Sequence, residues 1–283
     1  MLGTGVMGAP MAANIARAGL AVRAWNRTIE RARPLDEHGA TVVASPEDAV
    51  QGADIALTML SDAGPTLEVA ERILPALDAG AIWLQCGTIG LEGTDRCIEL
   101  AQRHGVAFVD APVLGTAKPA QDGALRVLAS GLDEAIDRCS PVFRAIGERT
   151  LRLGPAGRGT RLKLAVNAWV IALTQGAAEA FALARGLGLE REQMVEALEG
   201  TPTDTPYFRL KTQLMDSGEY PASFTLRLAA KDASLIEAAA DQAGVDVPML
   251  RTVARRWAEG VEAGYGEEDM AATYRLSAPD GRA

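Results

Sequence analysis

Six residues near the start of the chain, Gly3-Thr4-Gly5-Val6-Met7-Gly8, restrict the fold more than any other stretch. Glycines at these spacings permit a tight turn, let a second group approach the backbone, and let the following helix pack closely on a strand. A helix-forming run at 11–18 and a short apolar run at 21–25 follow at the spacing of a strand-helix-strand unit. A central parallel strand of about five or six residues, buried on both faces, normally feeds such a turn. Only Met1 and Leu2 precede Gly3, so Leu2 supplies the last residue of that strand. Leaving out the strand would expose backbone groups on two neighbours and hollow the core, so the expectation is a native chain with several more N-terminal residues, or a vector-derived segment in that place.

The rest of the first half alternates short apolar runs with amphipathic stretches, the rhythm of an α/β doubly wound parallel sheet. Strands are expected at 21–25, 41–43, 55–60, 82–85, 107–110, 125–129 and 150–153, with helices at 7–18, 65–77 and 91–104. Gly154-Pro155-Ala156-Gly157 punctuates a change, after which strand signals stop. Leu162, Val166, Trp169, Leu173, Ala177, Ala180 and Ala184 recur at spacings of three and four, predicting a domain-bridging helix of about seven turns. Further helices are expected at 192–198, 207–216, 226–243 and 248–262, before a Gly- and charge-rich tail. The chain thus reads as two domains, 1–154 with the sheet and 155–283 all-helical.

Composition narrows the partners. A net charge of -9 and a pI near 4.9 oppose a hold on phosphate backbones or acidic membranes, so neither nucleic acid nor membrane is expected. No basic, apolar leader opens the chain, and the apolar run at 164–173, broken by Asn167, falls short of the roughly 20 residues a membrane span needs. Two histidines, His38 and His104, and three cysteines without a CxxC pair offer no metal site. The odd cysteine count points to a reducing cytoplasm, with Cys86 and Cys97 as packing residues and His104 suiting a helix end.

The glycine turn opening a helix predicts a bound dinucleotide, its pyrophosphate over Gly3, Gly5, Val6, Met7 and Gly8. Eighteen residues beyond Gly8 stands Asn26-Arg27-Thr28, where an NAD-preferring fold places a carboxylate for the ribose hydroxyls. A guanidinium and a hydroxyl suit a 2′-phosphate instead, so Arg27 and Thr28 point to NADP(H), with NAD(H) the remaining alternative.

Residues 3–14, from Gly3 to Asn14, with Asn26-Arg27-Thr28, resemble the 3-hydroxyisobutyrate dehydrogenase and related β-hydroxyacid dehydrogenase family. Asp110-Ala111-Pro112-Val113-Leu114-Gly115-Thr116 with Gly123-Ala124-Leu125 resembles its substrate-binding segment. Lys163-Leu164-Ala165-Val166-Asn167 resembles its catalytic-lysine segment, and Phe224-Thr225-Leu226 with Lys231-Asp232 its C-terminal cofactor-facing motif. The run at 117–123 is similar to the branch of glyoxylate and succinic semialdehyde reductases, which act with NADPH. The resemblance implies a Rossmann-type domain, an all-helical C-terminal domain, an active site in the cleft between them, and a homo-oligomer, dimer or tetramer. It also implies that Met59, Leu60, Thr88 and Lys231 face the nicotinamide end of the cofactor.

The reaction so implied interconverts a small hydroxy acid and its aldehyde or keto acid by hydride transfer. Lys163 and Asn167 lie four apart and share a helix face. A lysine ammonium there stabilises the forming alkoxide and delivers its proton, and burial lowers a lysine pKa toward the range where it works as acid and base. Asn167 orients the lysine or the substrate. Gly115 and Thr116 offer backbone N–H groups and a hydroxyl to a substrate carboxylate. The family often has Ser where this chain has Leu114 and Gly where it has Thr116, so Leu114 lines a more apolar pocket and admits a bulkier or less polar carbonyl. Two alternatives stand beside this reading: an imine reductase on the same plan, a group that commonly lacks the lysine, and a non-catalytic dinucleotide-binding module.

Overall fold

The computed structural model describes residues 1–278; the end of the expected tail, 279–283, lies outside the described residues. The chain forms two compact units, one of residues 1–163 and one from Leu164 onward. The first contains α1 (Gly8–Arg17), β1 (Arg23–Ala24), β2 (Thr41–Val42), α2 (Pro46–Val50), β3 (Ile55–Thr58), α3 (Ala63–Ile73), β4 (Ile82–Gln85) and α4 (Gly90–Arg103). It continues through β5 (Ala107–Asp110), β6 (Val113–Leu114), α5 (Ala117–Asp122), β7 (Leu125–Gly131), α6 (Asp133–Ile146) and β8 (Gly147–Arg152). The division falls inside α7 (Arg158–Gly186).

Leu2 holds the centre of the sheet. It bridges Trp25 on one side and Thr58 on the other, both in parallel. Leu2 N–H donates to Leu57 O at 2.8 Å and Met59 N–H to Leu2 O at 2.9 Å, while Gly3 N–H donates to Trp25 O and Trp25 N–H to Met1 O, each at 2.9 Å. Residues 1–3 thereby join the β1–β2 pair to β3, β4 and β5, which are parallel to one another.

Strand periodicity sets the layers, because alternate side chains point to opposite faces. Ile82 and Leu84 enter one core cluster with Met11, Ile15, Ile136 and Phe143, from α1 and α6. Trp83 enters the other with Leu67, Ile73, Cys97 and Leu100, from α3 and α4. Its indole N–H donates to Thr58 Oγ1 at 3.0 Å, so the buried polar tip is satisfied, and its ring meets Phe108 edge to face at 4.9 Å.

The sheet departs from the all-parallel expectation at its far end. β7 runs antiparallel to β5 and β6, and β8 pairs with β7 in parallel. β5 and β6 lie along β7 in one register, with Leu128 N–H donating to Pro112 O between them, and the chain turns back through the short α5, a connection too brief for a parallel crossover. β6, α2, α5 and α6 are additional to the expected elements. Pro46 opens α2, and Pro141 lies inside α6, where it obscures the helical pattern. Strands expected at 21–25 and 55–60 shorten to β1 and β3, while those at 125–129 and 150–153 become β7 and β8.

The second unit holds the rest of α7, then α8 (Arg191–Leu198), α9 (Pro206–Ser217), α10 (Leu226–Ala243) and α11 (Pro248–Gly260). Thr205 and Thr225 cap α9 and α10 by accepting from Phe208 N–H and Leu228 N–H. Phe181, Met215, Tyr220 and Tyr274 form its core. By length and composition α7 reaches what a membrane span requires, unlike the shorter run expected at 164–173. Within this unit, however, its polar residues are bonded as in a core helix: Thr174 to Tyr207 at 2.6 Å, and Gln175 Oε1 accepting from Trp257 and Thr273.

Asp269 ties the segment before α10 to the chain's last helical turns. It accepts from Lys211 Nζ at 2.6 Å, from Ser223 Oγ at 2.8 Å and from Ala271 N–H at 3.0 Å. Burial pushes its carboxyl up, but the Lys211 ammonium and these donors outweigh burial and hold it below the ordinary aspartate value. Lys211→Met should therefore leave an uncompensated buried charge and lower the unfolding free energy by about 3–5 kcal/mol in urea titrations.

A cavity of about 840 Å³ lies at the amino-terminal edge of the first unit's sheet, lined by Met1, Val22, Arg23, Ile55, Leu57 and Arg138 among others. The Met1 ammonium donates to Arg23 O at 2.7 Å; burial, with the Arg23 charge beside it, lowers its pKa to about 5. An amine whose folded pKa lies below its unfolded value of 8.0 makes stability fall as pH drops from 8 toward 5, because the unfolded chain binds the extra proton. Four apolar residues placed ahead of Met1 would convert the amine to an amide and fill the cavity. Urea melts should show a higher midpoint for that chain and a weaker pH dependence between 5 and 8; equal curves would contradict this account.

Candidate active site

In the parallel part of the first unit, the carboxyl ends of the strands share one edge, where α/β sheets bind ligands. The turn at 3–8 leaves residue 3, Asn26-Arg27-Thr28 follows β1, Met59 and Leu60 follow β3, Thr88 follows β4, and Leu114, Gly115 and Thr116 lie at the end of β6 and just after it. The cavity lined by Met1, Arg23 and Ile55 lies at the opposite edge, apart from these loops.

Close backbone approach explains the outer glycines of the turn. Gly3 has φ +96°, and a Cβ there would collide with Met59 O; one on Gly8 would collide with Gly3 O. Gly5 differs, because a Cβ there would meet nothing within 4 Å. Gly5 and Val6 are exposed, ahead of the first turn of α1. The turn also abuts the next loop: a Cβ on Gly3 would come within 2.8 Å of Leu60 Cδ2. Gln85 pins the loop after β4 through Gly87, accepting its N–H at 2.6 Å and donating to its carbonyl at 2.9 Å.

Asn26 has a structural task. Its Oδ1 accepts from Thr4 N–H at 3.1 Å and its Nδ2 donates to Thr28 O at 2.9 Å, tying the glycine turn to the end of β1. Arg27 and Thr28 stand exposed beside it. Lys163, on the second turn of α7, donates from Nζ to Val113 O at 2.8 Å, which places it against the 110–116 segment. Leu114 and Thr116 are half-buried there and Gly115 is exposed.

The second unit brings together Asn167 and Lys231. Both reach Asp232, which the sequence places in the cofactor-facing motif beside Lys231 without a role of its own. Asn167 Nδ2 donates to Asp232 Oδ2 at 2.6 Å. Lys231 Nζ lies 2.7 Å from Asp232 Oδ1, an ion contact without hydrogen-bond alignment. Asn167 and Asp232 are buried, while the Lys231 side chain remains 23% exposed. Asp110, Ser130 and Thr160 form a second polar group, buried in the first unit; the sequence marks Asp110 as the start of the substrate-binding segment but not its grouping with Ser130 and Thr160, for which a threonine in a first helical turn was the available signal.

The three thiols are buried and free. Burial pushes Cys97 and Cys139 up to about 12, and Cys86 higher still, as packing residues require. His104 caps the end of α4. Among the described residues no group of three or more His, Cys, Asp or Glu side chains is placed to hold a metal ion.

Comparison with known proteins identifies the family. The family model for the NAD binding domain of 6-phosphogluconate dehydrogenase matches residues 1–154, and that for the NAD-binding region of NADP-dependent 3-hydroxyisobutyrate dehydrogenase matches residues 157–277. Glyoxylate/succinic semialdehyde reductase 1 of Arabidopsis thaliana is 31% identical over 274 residues, covering 96% of this chain and 95% of that protein. The NAD-dependent L-serine dehydrogenase of Pseudomonas aeruginosa is 30% identical, covering 98% of this chain and 97% of that protein. The structure of Mycobacterium tuberculosis 3-hydroxyisobutyrate dehydrogenase with L-serine superposes with a TM-score of 0.88 at 27% identity, covering 97% of each chain. The chain belongs to the 3-hydroxyisobutyrate dehydrogenase family of NAD(P)-dependent oxidoreductases acting on CH–OH groups.

Proposed function

We propose that the protein interconverts a small hydroxy acid and its aldehyde or keto acid with NADP(H), using Lys163 as general acid and base. The observation that carries this reading is the contact of Lys163 Nζ with Val113 O, which sets an ammonium against the loop at the sheet's carboxyl edge. The residues fit a dinucleotide. Gly5 leaves open space over the turn, the N-terminus of the ten-residue α1 favours an anion there, and no carboxylate stands at 26–28. Gly3, Gly5, Val6, Met7 and Gly8 would hold the pyrophosphate, Arg27 and Thr28 the 2′-phosphate, and Met59, Leu60, Thr88 and Lys231 the nicotinamide end. When bound, the reduced cofactor supplies the hydride.

Lys163 stabilises negative charge developing on the carbonyl oxygen and delivers a proton to it; in oxidation the neutral amine takes that proton back. Asn167, held by Asp232, orients the polar groups of the reaction. Gly115 and Thr116 bind the substrate carboxylate, and the half-buried Leu114 favours a substrate with an apolar substituent. We assign residues 1–154 to the cofactor domain and 155–283 to the helical domain of a cytoplasmic enzyme, a location that suits three free thiols.

Initial rates with NADPH and NADH across glyoxylate, succinic semialdehyde, methylmalonate semialdehyde and a cyclic imine test the substrate class; turnover of the imine alone would favour the imine reductase. Lys163→Ala should lower kcat for aldehyde reduction about 10²- to 10⁴-fold while the circular dichroism spectrum is retained. Arg27→Ala should raise KM for NADPH about 10- to 100-fold and leave that for NADH within about twofold, the loss of a charge-assisted bond to phosphate.

We also propose that the protein assembles as a homo-oligomer through α7. Trp169 and Leu183 are each 64% exposed and stand seven residues either side of the exposed Gly176, with Ala165 and Leu187 each eleven away and also exposed. Such a face matches itself about a two-fold axis at Gly176, with apolar residues meeting apolar ones. The double substitution of Trp169→Glu and Leu183→Glu should shift sedimentation to the smaller species.

A further inference from the structure

Asp110 ends β5 with a side chain that is fully buried, and among the described residues no ammonium or guanidinium is hydrogen-bonded to it. Its partners are instead the first turn of α7 and the neighbouring strand. Oδ2 accepts from Thr160 N–H at 2.8 Å and from Ser130 Oγ at 3.1 Å, and Oδ1 accepts from the Thr160 hydroxyl at 2.8 Å. Ser130 Oγ in turn accepts from Gly159 N–H at 2.9 Å. Two N–H groups that α7 cannot satisfy within itself are therefore met by side chains of β5 and β7. Thr94 on α4 lies 3.1 Å from the Thr160 hydroxyl and donates to Gly90 O. Burial raises the Asp110 carboxyl, while the bonds from Thr160 and Ser130 and the charge of Arg161 oppose that rise.

Packing fixes the same turn. Gly159 is pressed on the sheet so closely that a Cβ would collide with Leu128 O and come within 3.0 Å of Asp110 O. Three residues after Thr160, Lys163 reaches Val113 O, and Val113 stands three residues after Asp110. One carboxylate thus sits at the root of both segments that meet at Lys163, the helix that carries the ammonium and the loop that receives it.

We propose that Asp110 is a positioning residue for the reaction: by clamping the first turn of α7 through Thr160 and Ser130, it sets the place of the Lys163 ammonium against the 113–116 loop. This rests on the reading of Lys163 as the acid and base. A helix start freed from the clamp shifts on its strand, and a displacement of about 1 Å at a reacting group costs up to about 10²-fold in rate. The glycine turn and Arg27 belong to other strands, so cofactor affinity is left alone.

The experiment compares Asp110→Asn, Thr160→Val, Thr160→Ser and Lys163→Ala in steady-state reduction of the best carbonyl substrate, at a temperature where urea melts show each variant folded. Asp110→Asn keeps the shape and removes the charge, Thr160→Val removes one hydroxyl, and Thr160→Ser restores it. Expected are a fall in kcat of about tenfold or more for the first two, a KM for NADPH within about twofold of the parent, and recovery to within about threefold for Thr160→Ser. Unchanged kcat in folded Asp110→Asn and Thr160→Val, with Lys163→Ala inactive, would overturn the clamp and leave the role of Lys163 standing. A joint change in kcat and KM for NADPH, or no recovery in Thr160→Ser, would mark a general packing role and also overturn it. Full activity in Lys163→Ala would remove the reading on which the clamp rests. Should Asp110→Asn fail to fold, the Thr160 pair decides alone.

Discussion

Everything at the carboxyl edge of the sheet depends on the main-chain bonds that residues 1–3 make to Trp25, Leu57 and Met59. These bonds join a two-stranded and a larger sheet and set the register between them. The glycine turn begins where the register leaves off, and it abuts Met59 and Leu60 because Leu2 is paired with the strand that carries them. The buried Leu2 side chain adds to the core formed by Trp25, Ala56 and Trp83. A slip of one residue would turn that side chain to the other face and draw the turn away from both neighbouring loops.

Buried charge is managed differently in the two units. Asp269 has an ammonium beside it, so its charge is met by charge and its carboxyl stays ionised. Asp110 is hydrogen-bonded by N–H and hydroxyl dipoles, and burial outweighs them together with the charge of Arg161. Dipoles aligned at a helix start hold an anion while keeping direction, and the gain is geometric rather than energetic. Asp232 lies between these cases, accepting from an amide and touching an ammonium that is itself partly in water.

The sequence is most readable where one periodicity rules. Ile82 through Gln85 and Ala107 through Asp110 form strands at their expected positions, because each is a short apolar run closed by a polar residue. The long helix and α10 are equally clear, from unbroken spacings of three and four. Prolines hid α2, α5 and α6, and β6 has only two residues, too few to carry a period. The antiparallel direction of β7 is a tertiary fact: nothing in Leu125 to Ala129 records which way a neighbour runs. Among the candidate site residues, the glycines, Arg27 and Lys163 were legible by type and spacing. The clamp of Asp110, Ser130 and Thr160 was not, since its members are separated by 20 and 50 residues and acquire meaning only when β5, β7 and α7 meet.

The three thiols give the molecule an unplanned reporter. Burial pushes Cys97 and Cys139 up to about 12, far from the range where a thiol reacts, and neither is open to solvent. All three lie in the unit built on the sheet, on both of its faces. An alkylating reagent therefore reaches them only when that unit opens, and the rate of labelling measures the opening of the sheet separately from the helices that follow.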